Sequence, residues 1–332
     1  MNSIKIGNSN IKLSPIAFGA WAIGGWLWGG ANKKDALNAI SKAIELGITT
    51  IDTAPVYGFG QSEEITGKAI KGKRDKLQIL TKFGLIWASG KGQFYFSTKD
   101  NSGNDVNVFK YASKKSVIKE CEVSLKRLRI DYIDILQIHW PDPSTPLEET
   151  MEAMNILKEQ GKILAAGVCN YSSDLLDSAR KYIDIVSDQV PYSMLRREIE
   201  TDLVPYCISN NVGILAYSPL QRGILTGKFK PDHKFNEGDN RADLPWYKKD
   251  NLIKINNFLE ELKPLAAQKD ASLSQLVLRW TLQQPGISCV LAGARNPQQI
   301  EENAGALKFI ITDEEISEMN EKIKFLNGEI RI

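Results

Sequence analysis

From Ile16 onward, short apolar segments rich in β-branched residues alternate with segments whose apolar residues recur at helical spacing. This alternation restricts the fold more than any other feature, because strands separated by helices pair in parallel through crossovers. The predicted strands are Ile16 to Ala20, Thr49 to Thr53, Gln78 to Thr81, Ile133 to Ile138, Leu164 to Val168, Ile185 to Gln189, Gly213 to Tyr217 and Ser288 to Ala292. The helices predicted between them include Asp35 to Leu46, Ser116 to Leu128, Leu147 to Glu159, Asp174 to Lys181 and Pro297 to Leu307, several opened by a Ser or Asp placed to cap the first turn. Gly47 and Gly161 follow two of them as stop residues. No break in composition divides the series, so the expectation is an α/β protein with one closed (β/α)8 TIM barrel as a single domain over residues 1–332.

Three stretches depart from the repeat. Ile4-Lys5-Ile6 and Ile11-Lys12-Leu13, separated by Gly7-Asn8-Ser9-Asn10, form a hairpin pattern that could plug the N-terminal end of the barrel. Long loops follow the third strand, Gly84 to about Ala112, and the seventh, Leu220 to about Asp250. Both lie on the face where barrels carry their active sites, and loops of that length in a compact domain are usually functional or disordered.

Composition removes several classes of function. With 42% apolar and 25% charged residues, the 332-residue chain can bury a large core. Its 42 basic and 40 acidic residues are mixed along the chain, leaving no basic face for a nucleic acid. The run Lys71, Lys73, Arg74 and Lys76 reads as a solvated helix end. Met1 to Leu13 lacks a basic stretch followed by an apolar core, and no uncharged apolar run reaches the roughly 18 residues of a membrane span, so a cytoplasmic protein without a membrane partner is expected. Cys121, Cys169, Cys207 and Cys289 form no CxxC pair, which argues against a metal site and a disulfide framework. With no long heptad seam, a monomer or weak homo-oligomer is expected.

The C-terminal ends of barrel strands converge on one central site. Asp52 ends the second strand, Tyr57 follows in its loop, Lys82 ends the third and His139 the fourth. Singly, each has an ordinary structural use: a helix cap, a packing ring, a solvated cation. On consecutive strands they read as a catalytic set. His139 stands out further because the only other histidine, His233, lies among Asp, Lys and Asn in a loop. No GxGxxG follows a strand, so the Rossmann fingerprint is absent. Gly67 to Arg74 imitates the start of a phosphate-binding P-loop, but Arg74 stands where Ser or Thr should hold Mg²⁺, and the run ends a helix.

Along essentially its whole length the sequence resembles the aldo-keto reductase superfamily, especially the bacterial general-stress reductases and more distantly the potassium-channel β subunits. The motifs that carry the resemblance are Ile51-Asp52-Thr53-Ala54-Pro55-Val56-Tyr57-Gly58, Thr81-Lys82, Leu125-Lys126-Arg127-Leu128 with Asp131-Tyr132-Ile133-Asp134, His139-Trp140-Pro141, Gly167-Val168-Cys169-Asn170-Tyr171, Tyr217-Ser218-Pro219-Leu220 and Glu302-Asn303. The resemblance implies an oxidoreductase that reduces aldehydes or ketones with NADPH. Tyr57 would be the general acid, with its pKa brought down by the Lys82 ammonium, Asp52 would keep Lys82 charged and oriented, and His139 would orient and hydrogen-bond the carbonyl.

The resemblance also implies a cofactor site. The nicotinamide would stack on Tyr217, with its carboxamide at Asn170 and Gln189 and with Ala20, Trp21 and Asp52 nearby. Ser218, Leu220, Arg222, Gly223, Lys228 and Arg241 would serve the pyrophosphate on a closing loop, and Gly293, Arg295, Gln299, Glu302 and Asn303 the adenosine end. Two positions depart from the family pattern. Cys169 stands where many relatives have Ser before the carboxamide-binding Asn, and Gln299 stands where many have an Arg for the 2′-phosphate of NADP. Arg295 is the alternative reader of that phosphate.

Trp21, Trp87 and Trp140 are the candidate substrate-binding residues, with Trp26, Trp28, Phe94 and Tyr95 on neighbouring loops; such walls favour apolar or aromatic aldehydes over highly charged substrates. Two other readings stay open. Lys82 could be the Schiff-base nucleophile of a lyase or aldolase, or the chain could be a nicotinamide-binding redox sensor or regulator with little turnover.

Overall fold

The computed structural model describes residues 3–26, 30, 32–235 and 239–330; Trp28 lies outside them. The chain opens on a hairpin, β1 (Ile4–Lys5) and β2 (Lys12–Leu13), followed by β3 (Ile16–Gly19), α1 (Lys33–Glu45), β4 (Thr50–Asp52), α2 (Gln61–Ala69) and β5 (Gln78–Phe83). Three further strands, β6 (Leu85–Ile86), β7 (Gln93–Lys99) and β8 (Asp105–Lys110), precede α3 (Lys114–Leu128), β9 (Ile133–Ile138), α4 (Leu147–Glu159), β10 (Ile163–Cys169), α5 (Ser173–Arg180), β11 (Ile185–Pro191), α6 (Leu203–Ser209) and β12 (Gly213–Tyr217). The chain ends with α7 (Lys249–Gln268), α8 (Leu273–Leu282), β13 (Ile287–Gly293), α9 (Pro297–Gly305) and α10 (Asp313–Glu329).

Strands β3, β4, β5, β9, β10, β11, β12 and β13 pair in that order, all in parallel, and β13 returns to β3 to close the barrel. All eight predicted strands are therefore present, within a residue or two of their expected ends. Ser113 and Ser172 accept backbone N–H bonds at the starts of α3 and α5, and Gly47 and Gly161 take the left-handed backbone that stops α1 and α4.

The two-residue period of a strand explains where the site sits. Inward-facing Ala17, Leu80, Ile135, Ala165, Val186, Leu215 and Cys289 fill the lower barrel, and Ile6 and Leu13 of the hairpin close it from below. The plug is tightly fitted: a side chain at Gly213 would collide with Ile6. Two residues further along the same faces, Leu80 gives way to Lys82, Ile135 to Gln137 and Thr50 to Asp52, so the interior turns polar toward the C-terminal end. The alternate faces, with Phe18, Ile51, Ile79, Leu136, Val168, Ile214 and Val290, pack against the helices in the main core.

The long segment after the third barrel strand is a folded wall. β6, β8 and β7 form an antiparallel three-stranded sheet, and its inner face packs against Trp26, Ala54 and Val56. The segment after β12 makes short turns at Gln221–Thr226, Asn240–Asp243 and Pro245–Tyr247. Gly67 and Lys68 lie inside α2, so the run that imitates a P-loop does not form a loop after a strand. Arg74 is not a freely solvated helix end: its guanidinium pairs with Asp134 at 2.6 Å and lies 4.1 Å from the Tyr132 ring centre. The four cysteines are separate, buried thiols. Among the described residues no helix is long and apolar enough to cross a membrane.

Candidate active site

Lys82 and Asp52 face each other inside the barrel mouth, both about 1% exposed, with the ammonium 2.5 Å from Asp52 Oδ1. Two buried charges are tolerated only when their remaining hydrogen-bonding capacity is used. Lys82 Nζ also donates to the Thr53 carbonyl at 2.9 Å, and Asp52 Oδ2 accepts from the side-chain amides of Gln189 at 2.8 Å and Gln137 at 3.2 Å. Burial alone opposes the charge on Lys82, but Asp52 and the neighbouring acidic groups outweigh it and hold the ammonium above the ordinary lysine range. A serine behind the site fixes the strand ends, since Ser62 Oγ donates to the Ala20 carbonyl at 2.8 Å and lies 2.8 Å from Thr53 Oγ1.

Tyr57 lies over this pair, with Lys82 Nζ 5.0 Å from its ring centre. His139 meets the ring edge-on at 5.7 Å, and Trp21 stacks on it at 6.1 Å. The electrostatic balance corrects one expectation. Lys82 does favour the Tyr57 phenolate, but burial is the larger effect, and the phenol is pushed up to about 12. Tyr57 is thus protonated at neutral pH. Burial, with the Lys82 charge adding to it, pushes His139 well below the usual histidine range, so its imidazole is neutral.

On the other side of the mouth, Asn170 takes a left-handed backbone with φ near 60°. Its side-chain amide donates to the His139 carbonyl at 3.1 Å, and its side-chain oxygen accepts from the Tyr217 hydroxyl at 3.0 Å. Gln189 has its amide nitrogen committed to Asp52 and Gln137, which leaves its carbonyl oxygen for any ligand. Ser218 and Arg222 also have positive φ, and Arg222 lies 5.2 Å from the Trp21 ring centre while its carbonyl accepts from Tyr247 Oη at 2.9 Å. Leu220 and Gly223 are half-buried in the same turn, and Lys228 is exposed beyond it.

Arg241 forms a bidentate pair with Asp239, down to 2.6 Å, and packs over Phe229 and Phe235. Arg295 is exposed beyond Gly293, its backbone N–H donating to the Gln299 side chain at 2.7 Å. Asn303 donates to the Gly293 carbonyl at 3.1 Å, and Glu302 is held by Ser272 and Gln275 at the start of α8. A half-buried Tyr, two side-chain amides and a succession of arginines suit an aromatic amide joined to a diphosphate. These side chains therefore fit a nicotinamide dinucleotide, although no Rossmann loop is present.

Residues 15–324 match the model of the aldo/keto reductase family. The chain belongs to the aldo/keto reductase family. It is 40% identical over 323 residues to the aldo-keto reductase YhdN of Bacillus subtilis, covering 96% of this chain and 93% of that one. An Escherichia coli protein named NADH-specific methylglyoxal reductase is 36% identical over 332 residues, covering 98% and 99% of the two chains. The solved structure of a glycerol dehydrogenase from Gluconobacter oxydans superimposes with a TM-score of 0.88 at 37% identity, over 97% of this chain and 95% of that one.

In this aldo/keto reductase an aromatic wall joins the site. Trp21, Tyr57, Phe59, Trp87, Tyr95, Phe96 and Trp140 pack around the inner face of the β6–β8 sheet, with Tyr95 and Trp140 5.5 Å apart. Phe94 is not part of the wall. It is 54% exposed and meets Phe109 on the outer face, because the irregularity between Phe94 and Phe96 turns Tyr95 inward instead.

The sequence reading missed two buried polar residues, Gln137 within the site and Asp188 next to Gln189 in the chain. Gln137 lies two residues before His139 and so shares its face, which was the available signal, but an amide carries little chemical signature of its own. Asp188 lies fully buried beside Gln189 on β11. Burial pushes its pKa well above the usual aspartate value, although the backbone amides of Tyr171 and Asn170 counteract this. The folded state therefore holds a proton that the unfolded chain releases near about pH 3.9, and stability falls as pH rises above that value. Asp188→Asn is expected to stabilise the fold by roughly 1–3 kcal/mol at about pH 8, with a smaller gain at about pH 4, in urea titrations at each pH.

Proposed function

We propose that the chain reduces small aldehydes or ketones to alcohols with NADPH, with Tyr57, Lys82, Asp52 and His139 as its catalytic groups. The observation that carries this reading is the protonated Tyr57 held against a buried, fully engaged Lys82–Asp52 pair and a neutral His139. When bound, a reduced nicotinamide supplies the hydride to the carbonyl carbon. Tyr57 passes its phenolic proton to the carbonyl oxygen as negative charge grows there, and solvent later restores that proton. Lys82 stabilises the phenolate left behind, while Asp52, with Gln137 and Gln189, keeps the ammonium in place. His139 offers an N–H to the same oxygen, as a preorganised dipole.

The ion pair weighs against Schiff-base chemistry. A lysine nucleophile must be neutral, whereas Lys82 is held charged by Asp52 and is hydrogen-bonded to Thr53. Asn170, Gln189 and Tyr217 would hold the nicotinamide end, with Ala20 and Trp21 beside it. Ser218, Leu220, Arg222, Gly223, Lys228 and Arg241 would hold the diphosphate, Arg241 by exchanging Asp239 for phosphate oxygens. Gly293, Arg295, Gln299, Glu302 and Asn303 would form the adenosine end. The same reading makes the protein a cytoplasmic single-barrel enzyme, a monomer or weak homo-oligomer.

Because a relative bears the name NADH-specific, family membership leaves the choice of cofactor open. The exposed Arg295 supports NADPH, since a guanidinium suits a phosphate better than a ribose hydroxyl. Arg295→Met is expected to raise the KM for NADPH about tenfold with little change for NADH. The direct test follows loss of reduced-nicotinamide absorbance with 4-nitrobenzaldehyde and each cofactor. Oxidation with NADPH preferred supports the reading. Binding of NADPH without turnover across a broad carbonyl panel overturns it in favour of a nicotinamide-sensing role.

A further inference from the structure

Alternation along β8 sends Val106 and Val108 into the aromatic wall, and the next residue on that face is Lys110. The cross-strand pairing agrees, because Lys110 stands opposite Leu85, which is itself buried in the wall. A strand whose inward positions are otherwise apolar therefore ends in a cation. The Lys110 ammonium lies 4.6 Å from the Tyr95 ring centre and 5.3 Å from that of Trp140, the residue directly after His139. Among the described residues it makes no ion pair and no hydrogen bond. The two rings attract the cation but neutralise none of its charge.

We propose that Lys110 is a specificity residue that binds a carboxylate on the substrate, so that the preferred substrates are aldehydes or ketones with a carboxylate remote from the carbonyl. This deepens the reductase reading above and rests on it. A substrate whose carbonyl meets Tyr57 and His139 lies along Trp140 and Tyr95, and its far end meets Lys110. The aromatic wall then grips the body of the substrate while the ammonium selects its tail. This narrows the expectation that an aromatic pocket disfavours charged substrates.

The test compares 4-carboxybenzaldehyde with 4-nitrobenzaldehyde, which has a similar shape but no net charge, in the wild type, Lys110→Met and Lys110→Arg. The expected result is that kcat/KM for the carboxylate, relative to the nitro compound, falls about tenfold in Lys110→Met, chiefly through KM, and recovers in Lys110→Arg. Added salt should lower the wild-type ratio and leave that of Lys110→Met unchanged. An unchanged ratio in Lys110→Met, with both aldehydes still reduced, overturns the proposal and spares the reductase reading.

Quenching of tryptophan fluorescence by 4-carboxybenzaldehyde separates the two ideas if nothing is turned over. Binding that weakens in Lys110→Met keeps the anion site and removes the reductase reading. Binding that is the same in both proteins overturns the anion site.

Discussion

Tyr57→Phe is expected to lower kcat for aldehyde reduction by about 10²–10⁴-fold while leaving NADPH affinity nearly unchanged. Phenylalanine keeps the ring that stacks on Trp21 and meets the edge of His139, and removes only the hydroxyl. The loss therefore belongs to proton donation rather than to packing, and cofactor titration of the same variant separates the two. Wild-type reduction should also show a characteristic pH profile. Tyr57 must be protonated to act and is pushed up to about 12, so activity is lost only as pH rises toward that value. His139 is held well below its usual range and adds no step near neutrality. A fall in rate between about pH 6 and pH 8, traced to enzyme chemistry rather than cofactor decay, would mean that a different group is the acid.

Lys82→Met should have the largest effect on stability. It leaves the Asp52 carboxylate buried with two amide donors and no counter-charge, a change expected to cost about 3–5 kcal/mol. Urea titration measures this as a lower midpoint. Pairing the substitution with Asp52→Asn removes the orphaned charge and should recover most of the loss, because a buried ion pair replaced as a unit is often neutral. The double variant is then folded but inactive. That outcome separates the contribution of Lys82 to the fold from its contribution to the chemistry. A Lys82→Met protein as stable as the wild type would show that the pair is not sealed from water.

The barrel was legible because its strands and helices differ in period, and because Asp52, Lys82 and His139 fall at the C-terminal ends of successive predicted strands. The hairpin plug was legible from its turn residues. The β6–β8 wall was not, because its alternation is weak: exposed Gln93, Ser97 and Asn107 separate aromatic and β-branched residues that show their common face only after pairing. The direction of Phe94 depended on an irregularity that no pattern announces. The charge on Lys82 could be argued from Asp52 alone, but the pKa of Tyr57 could not, since it depends on how much of the ring the wall covers. Gln137 acts through buried contacts with Asp52 and Gln189 that exist only once the barrel closes.

The measurement that tests the central claim most directly follows the hydride itself. NADPH carrying deuterium at the transferable position of its nicotinamide ring is mixed with the protein and 4-nitrobenzaldehyde, and the product is analysed by mass spectrometry and NMR. The account predicts 4-nitrobenzyl alcohol with one deuterium on the carbinol carbon, formed by the wild type and lost with Tyr57→Phe. Alcohol without deuterium, or equal labelling by the wild type and Tyr57→Phe, would contradict it.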